Sequence, residues 1–418
     1  MISSVRGTRD IVPGQVERWQ YVEMTARRVC ELYGYTEIRT PIIEREELFT
    51  KGTGQTTDIV QKEMYSFTDR GDERVTLRPE ATPGVVRAFV EHALEQALTQ
   101  PKLYTLGPMF RYERPQKGRY RQFHQLNVEV FGVADPSIDA ELMEMAASLI
   151  HALGITGSEL VINSVGCPKC RPKFSAALVK ALGDDVERLC GDCQRRAKTN
   201  PLRIFDCKIT ADQAIIDALP HSVDYLCVDC GKHFEEVQDH LNRYGQVFTI
   251  SHRLVRGLDY YTRTTFELVQ ASLGAQNALL GGGRYDGLVK QLGGPDRAGI
   301  GFAAGLERLV LALPENRVTA PVPDAFVASF GEDVREEAFI VAKTLRDAGL
   351  RTLIDYDRRS AKSQMKRADR AGARYVVIVG GDELARGEVT LKDMTTGEQR
   401  AVARESLLDL LKTTEPGQ

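Results

Sequence analysis

No stretch of this 418-residue chain is both apolar and long enough to cross a bilayer, which takes about 20 such residues. Its opening, MISSVRGTRDIVPG, lacks the apolar core of an export signal, so the protein is expected to be cytoplasmic. Charge of one sign is lacking as well. The formal net charge is -3, so any nucleic-acid contact must come from local basic patches. Cysteine is scarce outside one region: Cys30 stands alone, and the other seven lie between Cys167 and Cys230. In a reducing compartment, clustered CxxC pairs favour metal over disulfides. Internal repeats and low-complexity tracts are absent too. What remains is ordinary globular composition, 42% hydrophobic and 27% charged, in a chain long enough for two or three domains.

Residues 15–33 set Trp19, Val22, Ala26, Val29 and Tyr33 at helical spacing, with Gly34 as the C-cap and Cys30 as a small core residue. From about 36 to 135, extended apolar stretches such as RVTLRP and KLYTLGPMFRY alternate with basic, glycine-marked turns, the pattern of antiparallel strands. Residues 166–249 change character and read as an inserted cysteine-rich module. Strand-like sequence returns at LVRGLDYYTRTTFELV and ends in a buried helix marked by Leu306, Leu309, Val310 and Leu313, which Pro314 stops. ENRVTAPVPD, 315–324, is a linker. Beyond it strands alternate with helices, which predicts a compact α/β domain with a largely parallel sheet. The expected division is 1–165 with 250–315, then 166–249 as the insert, then 323–418.

The densest chemistry is FRYERPQKGRYRQFHQ, 110–125, where Arg111, Arg114, Lys117, Arg119 and Arg121 face only Glu113. A hairpin with Lys117-Gly118 at its tip would aim Arg111, Arg119 and Arg121 at one polyanion, since the arginine fork grips phosphate with two parallel bonds. Phe123 offers a face on which a purine could stack. Glu80 and Thr82 in TLRPEAT could hold an ammonium group. LVRGLDYYTRTTFE sets Arg256 near Tyr260 and Tyr261, and AGLERL sets Arg308 on the polar side of a helix. The glycines of GGGRYDG, 281–287, let backbone approach a ligand, or simply make a tight turn. Singly, each segment has a plain structural reading as a solvated hairpin or a satisfied charge.

Together the segments resemble class II aminoacyl-tRNA synthetases, and most closely the bacterial histidyl enzymes. RTPIIE with Pro41 resembles the family's first motif, TLRPE with FRYERPQKGRYRQFHQ the second, and GIGFAAGLERL the third. RGLDYYTRTTFE and GGGRYDG resemble the two signatures peculiar to the histidine enzymes, and RGTRD also fits. The resemblance implies an α+β protein: an antiparallel-sheet catalytic domain with a cysteine-rich insertion, plus a C-terminal α/β anticodon-binding domain. It further implies a homodimer that joins L-histidine to its tRNA with ATP and Mg²⁺, releasing AMP and pyrophosphate. Arg111, Arg119, Phe123 and Arg308 would bind ATP. Glu80, Thr82, Gln125, Glu129, Arg256, Tyr260 and Tyr261 would bind histidine, with Arg256 and Arg111 the catalytic cations. Arg114 and Gln116 would meet the tRNA acceptor end. A pocket that hydrogen-bonds both imidazole nitrogens needs no editing site, and none is expected in 166–249.

Two rival readings stand beside this one. The first is a non-catalytic, synthetase-like regulatory subunit of histidine biosynthesis. The second is a zinc-ribbon nucleic-acid-binding protein, which explains the cysteines but not RGLDYYTRTTFE. Cys167/Cys170, Cys190/Cys193 and Cys227/Cys230 form three CxxC pairs, and the first two match the spacing of one four-thiolate zinc site. Six cysteines are too many for one such site and too few for two, unless Cys207, His221 or His233 contributes. At least one structural zinc is expected.

Overall fold

The computed structural model describes residues 2–412 apart from Thr56, Gln116, Lys117, Glu332 and Arg358. The apolar spacing at the start folds as the helix Val16–Leu32, with Trp19, Val22, Ala26, Val29 and Cys30 buried. Gly34 follows at φ 77, a left-handed position that stops the helix without a Cβ penalty. Burial pushes the Cys30 thiol up to about 12, so it is an inert core residue.

Contacts divide the chain into Met1–Val318 and Thr319–Gln418. The first unit carries β1 (Thr36–Glu37), β2 (Ile43–Arg45), β3 (Tyr65–Thr68), β4 (Arg74–Leu77), β5 (Lys102–Phe110) and β6 (Gln122–Phe131). After the helix Ser137–Ala152 come β7 (Ser158–Ser164), β8 (Phe248–Ile250), β9 (Thr262–Gln270), β10 (Ala278–Arg284) and β11 (Gly299–Gly305). Eight of these form one sheet in the order β1-β5-β6-β11-β10-β9-β7-β8. It is antiparallel except at its two ends, where β1 pairs with β5 and β7 with β8 in parallel. Helices Val16–Leu32, Ser137–Ala152 and Leu306–Ala312 cover one face, and Leu126, Phe266, Phe302 and Leu309 join them in the principal core.

Between β7 and β8 the chain builds a smaller core of its own around Phe174, Leu178, Ile204, Phe205 and Ile216. The helix Val228–Arg243 departs from that module. Its Phe234, Val237 and Leu241 enter the principal core instead.

The second unit holds β12 (Ala325–Phe330), β13 (Thr352–Ile354), β14 (Tyr375–Gly380), β15 (Glu388–Asp393) and β16 (Gln399–Ala403) in the order β13-β12-β14-β15-β16. The expected parallel sheet is present in β13-β12-β14. A terminal hairpin, β15–β16, makes the sheet mixed, a feature the alternation of strand and helix patterns did not contain.

Two expectations about local structure need correction. GGGRYDG is no turn at its start, because Gly281, Gly282, Gly283 and Arg284 lie inside β10 at the middle of the sheet. A Cβ at Gly282 would sit 2.0 Å from the Gly301 carbonyl oxygen, so the run lets strands approach each other. The basic segment is not a tight hairpin either: β5 ends at Phe110 and β6 begins at Gln122, leaving a long loop.

Candidate active site

A cavity of about 610 Å³ opens over β6, β9, β10 and β11. Glu80, Thr82, Arg111, Arg119, Phe123, Gln125, Arg256, Tyr260, Tyr261 and Arg308 all line it. Residues 228 positions apart in sequence thus share one wall. The strand register explains part of this. On β6, Phe123 and Gln125 alternate with residues of the opposite face, and Gln125 pairs with Gly305 of β11. The helix Leu306–Ala312 follows at once, and its buried Glu307 accepts the His124 backbone N–H at 3.0 Å. That bond ties the helix to β6 and leaves Arg308 directed across the cavity, where Nη1 donates to the Ala278 carbonyl at 2.6 Å.

The acid that answers the cations of 110–125 is Glu113, as the sequence indicated. Arg119 lies 3.0 Å from Glu113, with Arg111 3.9 Å from the same carboxyl. Arg256 is paired with Glu267 of β9. Arg111 also donates Nε–H to the Pro79 carbonyl at 2.8 Å, and its guanidinium stands 5.4 Å from the Phe123 ring centre. Burial, and after it the neighbouring Arg119, lower the Arg308 pKa.

The floor is built around the buried carboxyl of Glu80. Tyr260 donates its hydroxyl to Glu80 at 2.8 Å, and Thr53 donates to the other Glu80 oxygen. Burial raises the Glu80 pKa. The side-chain oxygens of Gln125 and Asn127 are buried with no protein partner among the described residues, so the cavity offers acceptors to a ligand's donors. Tyr261 reaches the cavity through a β-bulge. Arg284 pairs with Thr262 where Gly283 pairs with Thr265, and Arg263 takes φ 51 in the slack.

Glu129 is placed differently from the other expected residues. It does not line the cavity but sits beneath it at 1% exposure, accepting from Thr82 at 2.6 Å and from Tyr285. Gly301 makes room for it, since a Cβ there would fall 1.9 Å from Glu129 Oε2. Burial, helped by the charge of Glu80, pushes its pKa up to about 8. In an unfolded chain the carboxyl ionises near its ordinary value, so the folded state holds a proton that the unfolded state releases. The resulting stability is complete below about pH 4.5 and is lost as pH rises through about 8. Glu129→Gln should therefore lose less stability than the parent between pH 5 and pH 8, by on the order of a few kcal/mol in urea titrations. His233, whose pKa burial holds down at about 4, acts in the opposite sense but equally in both proteins. Parallel pH profiles for parent and variant would refute the assignment.

Other expectations divide. Arg121 does not join Arg111 and Arg119. Its guanidinium lies 3.9 Å from the Tyr112 ring centre, because the long loop turns it away from the cavity. Arg114 is exposed on the same loop and does not line the cavity, and Gln116 lies outside the described residues. Residues that the sequence reading missed include Asn127 and a cationic rim from the insert, Arg196 and Arg203, both paired with Asp58. Nothing in the insert's sequence pointed at the cavity.

The cysteines group otherwise than spacing suggested. Cys167 and Cys170 meet Cys227 and Cys230, not Cys190 and Cys193. The latter pair meets Cys207 and Asp212. Chain reversal through the insert brings its entry and exit together, and linear spacing carries no record of that. His221 stacks on His252 and His233 approaches Asp139, so neither joins a cluster.

Comparison with known proteins gives one answer along the chain. The family model described as "Histidyl-tRNA synthetase" matches residues 7–309, and that of the "Anticodon binding domain" matches 324–414. A histidine–tRNA ligase of Geobacter sulfurreducens is 52% identical over 399 residues, 96% of each chain. One from Geobacter metallireducens is 52% identical over 402 residues, 96% of this chain and 97% of the relative. The crystal structure of apo S. aureus histidyl-tRNA synthetase superposes with TM-score 0.82 at 38% identity, covering 99% of this chain and 100% of that one.

Proposed function

The chain belongs to the histidyl-tRNA synthetase family and is a histidine–tRNA ligase, and from that premise we propose how its cavity performs the reaction. The carrying observation is that Arg111, Arg256 and Arg308 surround one cavity whose floor is formed by Glu80, Thr82, Gln125, Tyr260 and Tyr261. Histidine lies over that floor. Glu80, Thr82 and Gln125 take its ammonium group, Tyr260 and Tyr261 line the ring, and Glu129 acts from beneath through the Thr82 and Tyr285 hydroxyls. ATP occupies the arginine side, with adenine on Phe123, Arg111 on the α-phosphate, and Arg119 and Arg308 on the outer phosphates or the ring.

The carboxylate of histidine is ionised at neutral pH and attacks the α-phosphorus without a general base. What must be supplied is contact between two anions and neutralisation of charge on the phosphorus oxygens, so Arg256 and Arg111 act by position and field. Pyrophosphate leaves, and the terminal ribose hydroxyl of tRNA then attacks the adenylate, releasing AMP. When bound, Mg²⁺ supplies further charge neutralisation on the triphosphate. The hard carboxylate oxygens of Glu113 and Glu267, both lining the cavity, fit it beside the phosphate oxygens.

The tRNA acceptor end is assigned to Arg114 and Gln116. In the second unit Arg359 and Arg367 are tied to Asp357 and Asp355 at 2.8 and 3.2 Å, which leaves phosphate contacts to exposed Lys362, Lys366 and Arg370 of the helix Ala361–Arg370. We assign a homodimer through the segment after Pro41, where Ile42 and Ile43 are 41% and 52% exposed. No described helix is long and apolar enough to cross a membrane, and the cytoplasm is the proposed compartment. The domain division proposed from sequence is kept with one change, the insert ending before the helix Val228–Arg243. At least one structural zinc belongs to this reading. The regulatory-subunit alternative is not favoured.

Amino-acid-dependent ATP–pyrophosphate exchange with each of the twenty amino acids tests the assignment. Exchange is expected with histidine and with no other at comparable concentration. Silence with histidine in folded protein would sink it.

A further inference from the structure

We propose that this chain binds two zinc ions, one in a four-thiolate site at Cys167, Cys170, Cys227 and Cys230, the other at Cys190, Cys193, Cys207 and Asp212. The first of them sets the wall of the histidine pocket through Arg171. Within each group the ligand atoms all lie within 4.8 Å of one another. Sulfur separations are 3.7 Å for Cys167–Cys170 and 3.9 Å for both Cys167–Cys227 and Cys190–Cys207. A tetrahedron with Zn–S bonds of about 2.3 Å has edges of about 3.8 Å, whereas a disulfide would need about 2.05 Å. Tetrahedral thiolate-rich sets favour zinc among divalent ions.

Both sites are built around their ligands. The Cys227 backbone N–H points at Cys170 Sγ at 3.1 Å, and that of Ile209 at Cys207 Sγ at 3.4 Å, the donors that metal-bound thiolates take. Gly166 has φ 69, and a Cβ there would stand 2.7 Å from Cys170 Cβ. Asp212 is 2% exposed and brings Oδ2 to 3.2 Å from Cys207 Sγ, with the Cys190 N–H orienting the carboxylate at 3.1 Å. The module they staple has a small core and mostly short helical turns, the case in which a metal replaces missing hydrophobic burial.

The four-thiolate site joins the chain's way into the insert to its way out. Arg171, next to Cys170, donates to the carbonyls of Asp259 and Tyr261. Beside it, Val165 N–H donates to the Arg263 carbonyl at 2.8 Å, and Arg263 N–H to that of Gly166 at 2.9 Å. Closing this clasp fixes the backbone of 259–263 and with it the Tyr261 ring. The second site holds the segment whose Arg196 and Arg203 pair with Asp58 at the rim. The link to the pocket rests on the histidine-binding reading; the metal sites themselves do not.

The test is zinc content by mass spectrometry and X-ray absorption on the full chain, purified reduced with zinc supplied. Two ions per chain are expected. Cys207→Ser should retain one in an all-sulfur shell, and Cys227→Ser one in a sulfur–oxygen shell. Cys227→Ser should also raise the histidine KM about tenfold with a smaller change for ATP, and Cys227→His, which keeps a zinc ligand, should restore it. If Cys227→Ser does not fold, as reported by Trp19 emission, the ion count and shell composition of the unsubstituted protein decide, with Asp212→Asn reporting on the second site. One ion or none in the unsubstituted protein overturns the two sites. An unchanged histidine KM in folded Cys227→Ser lacking the first ion overturns the link to the pocket. Absent histidine-dependent exchange in zinc-loaded, unsubstituted protein would strike the ligase reading while leaving the ion count intact.

Discussion

Arg256→Ala is expected to slow histidyl-adenylate formation by about 10²–10³-fold while moving the ATP dissociation constant by less than about tenfold. The reason lies in where the side chain is held. Its guanidinium is paired with Glu267, stands 5.7 Å from the Tyr261 ring centre, and lies directly over Gly281, where a Cβ would come within 2.5 Å of Nη1. On the proposed placement of the substrates it stands on the histidine side of the cavity and faces charge that develops at their junction. A group acting mainly there lowers the barrier without adding much to nucleotide affinity. Arg256→Lys keeps the charge but loses the fork, and should recover only part of the loss. Pre-steady-state adenylate formation and equilibrium ATP binding, measured on the same preparations, separate the two quantities. Matched losses in both would show that the residue is a nucleotide anchor.

The second large effect is on stability. Arg284 and Asp139 are both fully buried, and Arg284 Nε lies 3.0 and 2.8 Å from the two Asp139 oxygens. Nη2 donates to Asp139 Oδ2 at 2.5 Å as well, and the other guanidinium bonds go to the carbonyls of Val133 and Asp135 at 3.1 and 3.0 Å and to Asp286 at 3.2 Å. This joins β10 to the helix Ser137–Ala152 beneath the active-site sheet. Asp139→Ala leaves the buried cation with only Asp286, at the edge of the site, as counter-charge and should cost about 3–5 kcal/mol. Trp19 is the only tryptophan and lies in the principal core, so its emission in urea reports the first unit directly. Asp139→Asn, which keeps acceptor capacity, should lose less. A cost below about 1 kcal/mol for Asp139→Ala would mean that the ion pair contributes little once its backbone partners are counted.

Arg284 also shows the limit of reading motifs. GGGRYDG read as a run that lets backbone approach a ligand or as a plain tight turn, yet its Arg284 is one of the largest fully buried side chains among the described residues. A glycine run signals close approach, but it does not say whether the neighbour is a ligand or another strand. Arg121 makes the same point. It belongs to the basic cluster by composition, yet its stack on Tyr112 follows from loop geometry that no local pattern encodes. Asp58, which answers Arg196 and Arg203 at the cavity rim, comes from a segment remote in the chain, and nothing near those cations in sequence announces it.

Helical periodicity was enough for the helix at 16–32, and the ordered motif segments carried the resemblance to the family and named ten of the residues that line the cavity. Each of those is written in consecutive residues, because a phosphate-gripping loop or an amphipathic helix needs its side-chain types at short, regular intervals. Tertiary structure alone decided which cysteines meet, which arginines turn away, that Glu129 lies under the floor and that Arg284 is a core ion pair. These depend on which distant strands and turns become neighbours, and burial and charge pairing act through space without regard to position along the chain.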